Sequence, residues 1–138
     1  MDRIKIFSIF IFSSSIFITS CAVFLPNYTK NEEAKEDALI SSIRAALDIY
    51  ANESLMISGI KIWPDNPFSA LSTLPSGYTE DGTNADSDNE WTYVEGDPNY
   101  ITHQRSDNTR WKWEYDEGIN TGTYADQTIG TLGSREEL

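Results

Sequence analysis

Few side chains in this chain are of a type and spacing that could do chemistry. The single histidine, His103, stands between Thr102 and Gln104 with no cysteine, serine or paired carboxylate at a fixed spacing. It therefore makes no nucleophile–base pair, and reads as a surface or edge side chain of a half-polar strand. Asp81, Asp86, Asp88 and Glu90 crowd one loop, and their Asp-x-Asp-x-Glu run has some of the oxygen density that calcium needs. The run lacks the glycine of an EF-hand loop, so a solvated acidic loop is expected rather than a metal site. Trp111, Trp113 and Tyr115 alternate with Lys112 and Glu114. Such a row is either a carbohydrate or peptide platform or the buried face of a strand, and burial is the stronger reading because a helical apolar stripe upstream needs a partner. Catalytic, cofactor-binding and metal-ligating residues are all expected to be none, and an enzyme is the last reading.

The elements that must position these residues begin with residues 6–25, a twenty-residue stretch without charge at the start of an otherwise polar chain. At about 1.5 Å per helical residue it reaches across the roughly 30 Å hydrocarbon layer of a bilayer. Three readings of this N-terminus stand side by side. An uncleaved single-pass helix keeps Arg3 and Lys5 on the cytoplasmic side and places the remainder outside. A lipoprotein signal fits Ile18-Thr19-Ser20-Cys21, which resembles a lipobox, with Cys21 as the lipid attachment residue. An ordinary secretory signal would be cleaved near Ser20 and release a soluble domain. As the only cysteine, Cys21 cannot form an internal disulfide, so the exported domain must hold its fold by packing.

Ten Lys and Arg against twenty-two Asp and Glu give 10 − 22 = −12, which argues against a nucleic-acid partner because phosphate contact needs clustered cations. The remaining stretch of about 110 residues suffices for one small domain. The expected division is a membrane segment or signal over residues 1–30 and a globular domain over 31–138.

Leu39, Ile43, Ala46, Leu47 and Tyr50 recur at helical steps, and Asp37, Ser41, Arg44, Asp48 and Asn52 mark the opposite polar face. No glycine precedes Gly59, and the only breaker between the greasy stretch and this helix is Pro26. The pattern predicts either one rod over residues 4–57 or two helices joined at 26–30. Trp63-Pro64-Asp65-Asn66-Pro67 ends the helical region, and a short helical turn is expected with Pro67 near its first position. Strands are predicted over 91–94, 100–104 and 110–116, joined by Gly96-Asp97-Pro98-Asn99 and Ser106-Asp107-Asn108 into an antiparallel meander. Residues 118–138 are expected to close as a loop or a weak edge strand.

A helix that begins in lipid and lays its amphipathic half on a small antiparallel sheet is the plan of the type IV pilins. Ala22-Val23-Phe24-Leu25-Pro26-Asn27-Tyr28 resembles the end of the pilin hydrophobic segment, and Ala45-Ala46-Leu47-Asp48-Ile49-Tyr50 resembles the second helical half. Trp63-Pro64, Asn66-Pro67-Phe68-Ser69-Ala70-Leu71, Pro75, Trp91-Thr92-Tyr93 and Trp111-Lys112-Trp113-Glu114-Tyr115 are similar in order to the pseudopilins of type II secretion. The processing end departs from the family pattern: members are cut after a Gly that precedes Phe and carry an early Glu, whereas this chain has no glycine before Gly59 and no acidic residue between Asp2 and Glu32. Family pseudopilins often bind calcium near the C-terminus, where this chain offers mainly Asp126.

The resemblance implies an α+β, pilin-like fold in which a long N-terminal helix, half in the membrane, packs on a small antiparallel sheet. It implies a structural subunit of a pilus or type II secretion pseudopilus, with a methylated or uncut N-terminus and a role in filaments or protein secretion. Its partners would be other pilin-like subunits and the assembly machinery, and its place the bacterial inner membrane, single-pass, with the C-terminal domain in the periplasm or outside the cell. The alternative is a membrane-tethered lipoprotein with a small ligand-binding domain, for which Cys21 is the main sign.

Overall fold

The computed structural model describes the backbone of residues 2–117, 119–120 and 130–138, and the side chains of 29–117 and 130–138. Two compact units divide at the middle of the helix, Met1–Asp37 and Ala38–Leu138. Helix α1 carries the bounds Asp2–Ser58, and its part within the first unit is the only element there. Among the described residues no helix is long and apolar enough to cross a membrane; residues 6–25 and Cys21, on which the membrane and lipid expectations rest, lie outside the described side chains.

In the second unit, α1 turns a ridge of Ile40, Ile43, Leu47 and Ala51 into the core, at spacings of three and four that keep one face inward. This corrects the expected stripe by one residue. Leu39 and Ala46 are half-buried beside the ridge and Tyr50 is exposed, because a helix of 3.6 residues per turn drifts toward Ala51 rather than Tyr50 as it runs on from Leu47. The polar face is exposed at each expected position, Asp37, Ser41, Arg44, Asp48 and Asn52. Gly59 ends the helix with φ +76°, donating its amide to Leu55 O at 2.9 Å. That left-handed cap costs glycine little and a branched residue much.

The strands are β1 (Lys61–Ile62), β2 (Tyr78–Thr79), β3 (Trp91–Val94), β4 (Asn99–Gln104), β5 (Arg110–Tyr115), β6 (Ile119–Asn120) and β7 (Glu136–Glu137). β3, β4 and β5 form the predicted antiparallel meander, and β7 adds antiparallel to the outer side of β5 as the expected weak edge. β2 joins the other side in the order β2-β3-β4-β5-β7, parallel to β3. The sheet is therefore mixed, where an antiparallel one was expected. The eleven residues between Thr79 and Trp91 make the crossover that a parallel pairing requires, and the loop that carries the acidic run is that crossover. β1 and β6 make a separate two-stranded antiparallel pair. A 3-10 turn at Pro67–Ala70 is capped by Asn66, whose side chain accepts from the Phe68 amide at 3.0 Å.

Register sorts the sheet into two faces. Tyr93, Ile101 and Trp113 lie in one row, and Trp91, His103 and Trp111 in the next. These rows face the helical ridge and share one core with Phe68, Trp63, Tyr115 and Leu132. The rings pack as a chain: Phe68 meets Tyr78 at 4.5 Å and Trp91 edge-on at 6.4 Å, while Trp91 stacks on Trp113 at 5.6 Å. One helix packed on a small mixed sheet makes the class α+β.

Because Trp113 is 2% exposed and stacks on Trp91 within the core, Trp113→Ala is expected to lower unfolding free energy by about 3–5 kcal/mol. Met56, 87% exposed on α1, is the control: Met56→Ser should shift the same urea-denaturation midpoint very little.

Candidate functional site

The meander's back face carries the acidic loop, and the loop is anchored rather than solvated throughout. Thr92 and Thr102 face each other across β3 and β4 with hydroxyls 2.6 Å apart, and the Ala85 amide donates to Thr102 Oγ1 at 2.8 Å. Ala85 is fully buried there, and the Tyr100 hydroxyl donates to Asn84 Oδ1 at 3.0 Å. Glu90 closes the loop on itself: its carboxylate accepts from the Thr79 hydroxyl at 2.6 Å and from the Asp86 and Ser87 amides at 2.8 and 3.1 Å. Those donors, the Thr79 hydroxyl foremost, hold its carboxyl below the usual glutamate range. The carboxylate that the sequence pattern offered to calcium is thus committed to backbone and hydroxyl donors. Asp81 caps the Thr83 amide at 2.9 Å and Asp86 accepts from the Ser87 hydroxyl at 3.0 Å. Among the described residues no three His, Cys, Asp or Glu side chains converge as metal ligands, and Asp126 lies outside those residues.

His103 is not the expected surface or edge residue. It stands on the central strand, 3% exposed, with its ring stacked on Trp91 at 4.1 Å and 20°. Register placed it there: pairing opposite both Trp91 and Trp111 forces an imidazole into an aromatic row, where its flat ring completes a stack. Trp113 and Tyr115 are buried, as the core-face reading of that strand expects. Trp111 is half-buried, with the Arg105 guanidinium 4.7 Å and the Arg135 guanidinium 6.0 Å from its ring centre.

Two concave regions open around the ends of the strands. One, about 410 Å³, is walled by Asp65, Glu80, Asp81 and Glu95 with Tyr78 and Tyr93. The other, about 570 Å³, takes in Asp97, Glu114, Tyr115, Asp116 and Glu117. Both are acidic, and sequence spacing singled out neither, because Asp65, Glu80 and Glu95 come from three separate stretches of the chain. Only the charge of −12 signalled that negative surfaces must meet somewhere.

The tyrosines register this environment. Burial, then the charges of Glu117, Glu95 and Asp65, push the Tyr93 phenol up to about 12. Burial, then Glu117 with smaller contributions from Tyr93, Asp65 and Asp116, raises Tyr115, whose hydroxyl donates to Pro64 O at 2.6 Å. Burial raises Tyr78 against a hydrogen bond from the Asn66 amide, which donates to Tyr78 Oη at 2.7 Å. Each phenol is held in its neutral form.

A raised folded-state pKa means that the stabilisation is whole below the unfolded value, 10.0, and is lost as pH rises toward 12. Denaturation midpoints should therefore fall between pH 10 and 12, and Tyr93→Phe should shallow that decline. An unchanged decline in the variant would assign it to other groups. No family model, curated protein or solved structure matches this chain.

Proposed function

We propose that the chain is a pilin-like structural subunit of a pilus or type II secretion pseudopilus, held in the bacterial inner membrane by its N-terminal hydrophobic helix with the sheet domain outside. The observation that carries this reading is the second, unfilled apolar face of α1. Ile49 and Met56 are 59% and 87% exposed and lie seven residues apart, about half a turn round the helix from the buried Leu47. Ile57, 88% exposed, extends the apolar surface at the helix end. A monomeric domain gains nothing by leaving such side chains in water, whereas a helix packed against copies of itself buries them. An uncharged N-terminal stretch followed by an amphipathic helix that packs on a sheet through its other face is the arrangement such an assembly needs.

The lipoprotein alternative rests on Ile18-Thr19-Ser20-Cys21. Mass spectrometry of the N-terminus from purified membranes separates the two: a methylated or uncut end is expected, and a diacylated Cys21 would replace the proposal with the alternative. Cys21→Ser should leave the protein in the membrane. For the filament itself, Ile49→Asp with Met56→Asp should cut self-association in detergent about tenfold or more while the melting temperature stays put, because both residues are exposed in the folded domain. Equal association by wild type and variant would remove the helix-packing argument.

A further inference from the structure

The loop between β2 and β3 holds the groups for a covalent reaction of the chain with itself, and the filament reading plays no part in it. Asp81-Gly82 is the one Asp-Gly step in the sequence. The backbone nitrogen that follows an aspartate can attack the side-chain carboxyl and close a cyclic imide, and a side chain on the following residue is the usual obstacle. Gly82 removes it. A Cβ placed on Gly82 would meet nothing within 4 Å, and Asp81, Gly82 and Thr83 are all exposed, so no neighbouring segment blocks closure.

The backbone is already bent for this reaction. Asp81 Oδ1 accepts from the Thr83 amide at 2.9 Å, which folds the carboxyl back over the peptide that contains Gly82 N, and Gly82 takes φ +72°, a conformation glycine adopts freely. Attack on the carboxyl carbon would turn a carboxyl oxygen into an oxyanion. The Thr83 N–H is aimed at that oxygen beforehand, as an oxyanion donor is. Among the described residues the Gly82 amide donates to no protein group, so the attacking nitrogen breaks no bond of the fold.

A second turn of the same build supplies the contrast. Asp107 Oδ1 accepts from the Thr109 amide at 3.0 Å across Asn108, which has φ +64°. Here the following residue carries a side chain, and its amide is committed to Arg105 O at 3.0 Å. The Thr109 hydroxyl, 2.6 Å from Asp107 Oδ1, and then the Thr109 amide hold this carboxyl below the usual aspartate range. That keeps it in the carboxylate form, the poorer electrophile.

We propose that Asp81 is a site of spontaneous aspartyl isomerisation, with Gly82 N as the nucleophile and the Thr83 N–H as the oxyanion donor. Gly82 N bonds to Asp81 Cγ, the carboxyl O–H departs, and the Gly82 amide proton leaves with it as water. The resulting succinimide takes water back at one of its two carbonyls. Addition at Cγ restores aspartate, whereas addition at the main-chain carbonyl breaks its bond to Gly82 N and leaves isoaspartate, with the chain running through the former side chain. The sum is an isomerisation that consumes no oxidant, reductant or cofactor. Its reach is limited, because Ala85 stays fixed to Thr102 and the Asp86 and Ser87 amides to Glu90. What changes is the wall that Asp81 gives to the cleft beside β2 and β3.

The test ages the full chain in neutral detergent at body temperature over several weeks and maps its peptides with electron-transfer fragmentation, which tells isoaspartate from aspartate. Methylation by an isoaspartyl methyltransferase with labelled S-adenosylmethionine gives a second readout. Isoaspartate should accumulate at Asp81 and not at Asp107 in the same sample. Gly82→Ala should suppress it severalfold with the melting temperature followed in parallel, and the folded chain should react faster than the same chain unfolded in urea. An unmodified Asp81, equal conversion at Asp107, or faster conversion in urea than in the fold would overturn the proposal.

Discussion

The contact between one ridge of α1 and the tryptophan rows of the meander is the constraint from which the other placements follow. Ile43 and Leu47 are fully buried against a core that includes Trp91, Ile101, Trp113 and Tyr115. Side chains of this size contribute about 1.5–3 kcal/mol each when withdrawn from water. Because a strand alternates its faces, choosing which row meets the helix also chooses which row is left for the other side. Thr92 and Thr102 are left there, and their hydroxyls become the hold for the acidic loop through the Ala85 amide.

The same choice explains the buried histidine and the strapped C-terminus. His103 shares the inward face with its cross-strand partners, so it stacks on Trp91 instead of meeting water. Leu132 bridges to Tyr115 beside the sheet and adds its side chain to the core, while Arg44 on the outer side of α1 donates to Leu132 O and Gly133 O at 3.2 and 2.8 Å. An arginine that read as part of a solvated helix face is thus also a clasp, since its long stem can lie along the surface and deliver donors to carbonyls some distance away. Gly130 completes this region: a Cβ there would sit 2.0 Å from the Trp63 indole nitrogen, so the backbone passes at a distance only glycine permits.

The strands of the meander were legible to within a residue, because Trp111-Lys112-Trp113-Glu114-Tyr115 alternates cleanly and the connecting turns use Gly, Asp, Asn and Pro. The end of α1 at Gly59 and the 3-10 turn begun by Pro67 were legible for the same kind of reason: backbone restriction is a local property of the residue. The parallel strand β2 was not. Tyr78–Thr79 is two residues long, has no alternation to detect, and is recruited by an edge of β3 that forms only after the meander does. Nor was either acidic cleft visible, since Asp65, Glu80 and Glu95 come from three separate connections.

By itself the sequence determined the uncharged stretch over residues 6–25, the amphipathic segment, the aromatic strand and the negative charge, all of which are set by residue type at short range. Tertiary structure alone decided which helical ridge faces inward, that Glu90 ties its own loop together instead of offering its oxygens to a cation, and where unpaired carboxylates gather around Tyr93. The physical reason is distance. Periodicity and turn chemistry act within a few residues, whereas a cleft or a committed carboxylate depends on groups brought together by packing, and packing is decided by the whole core at once.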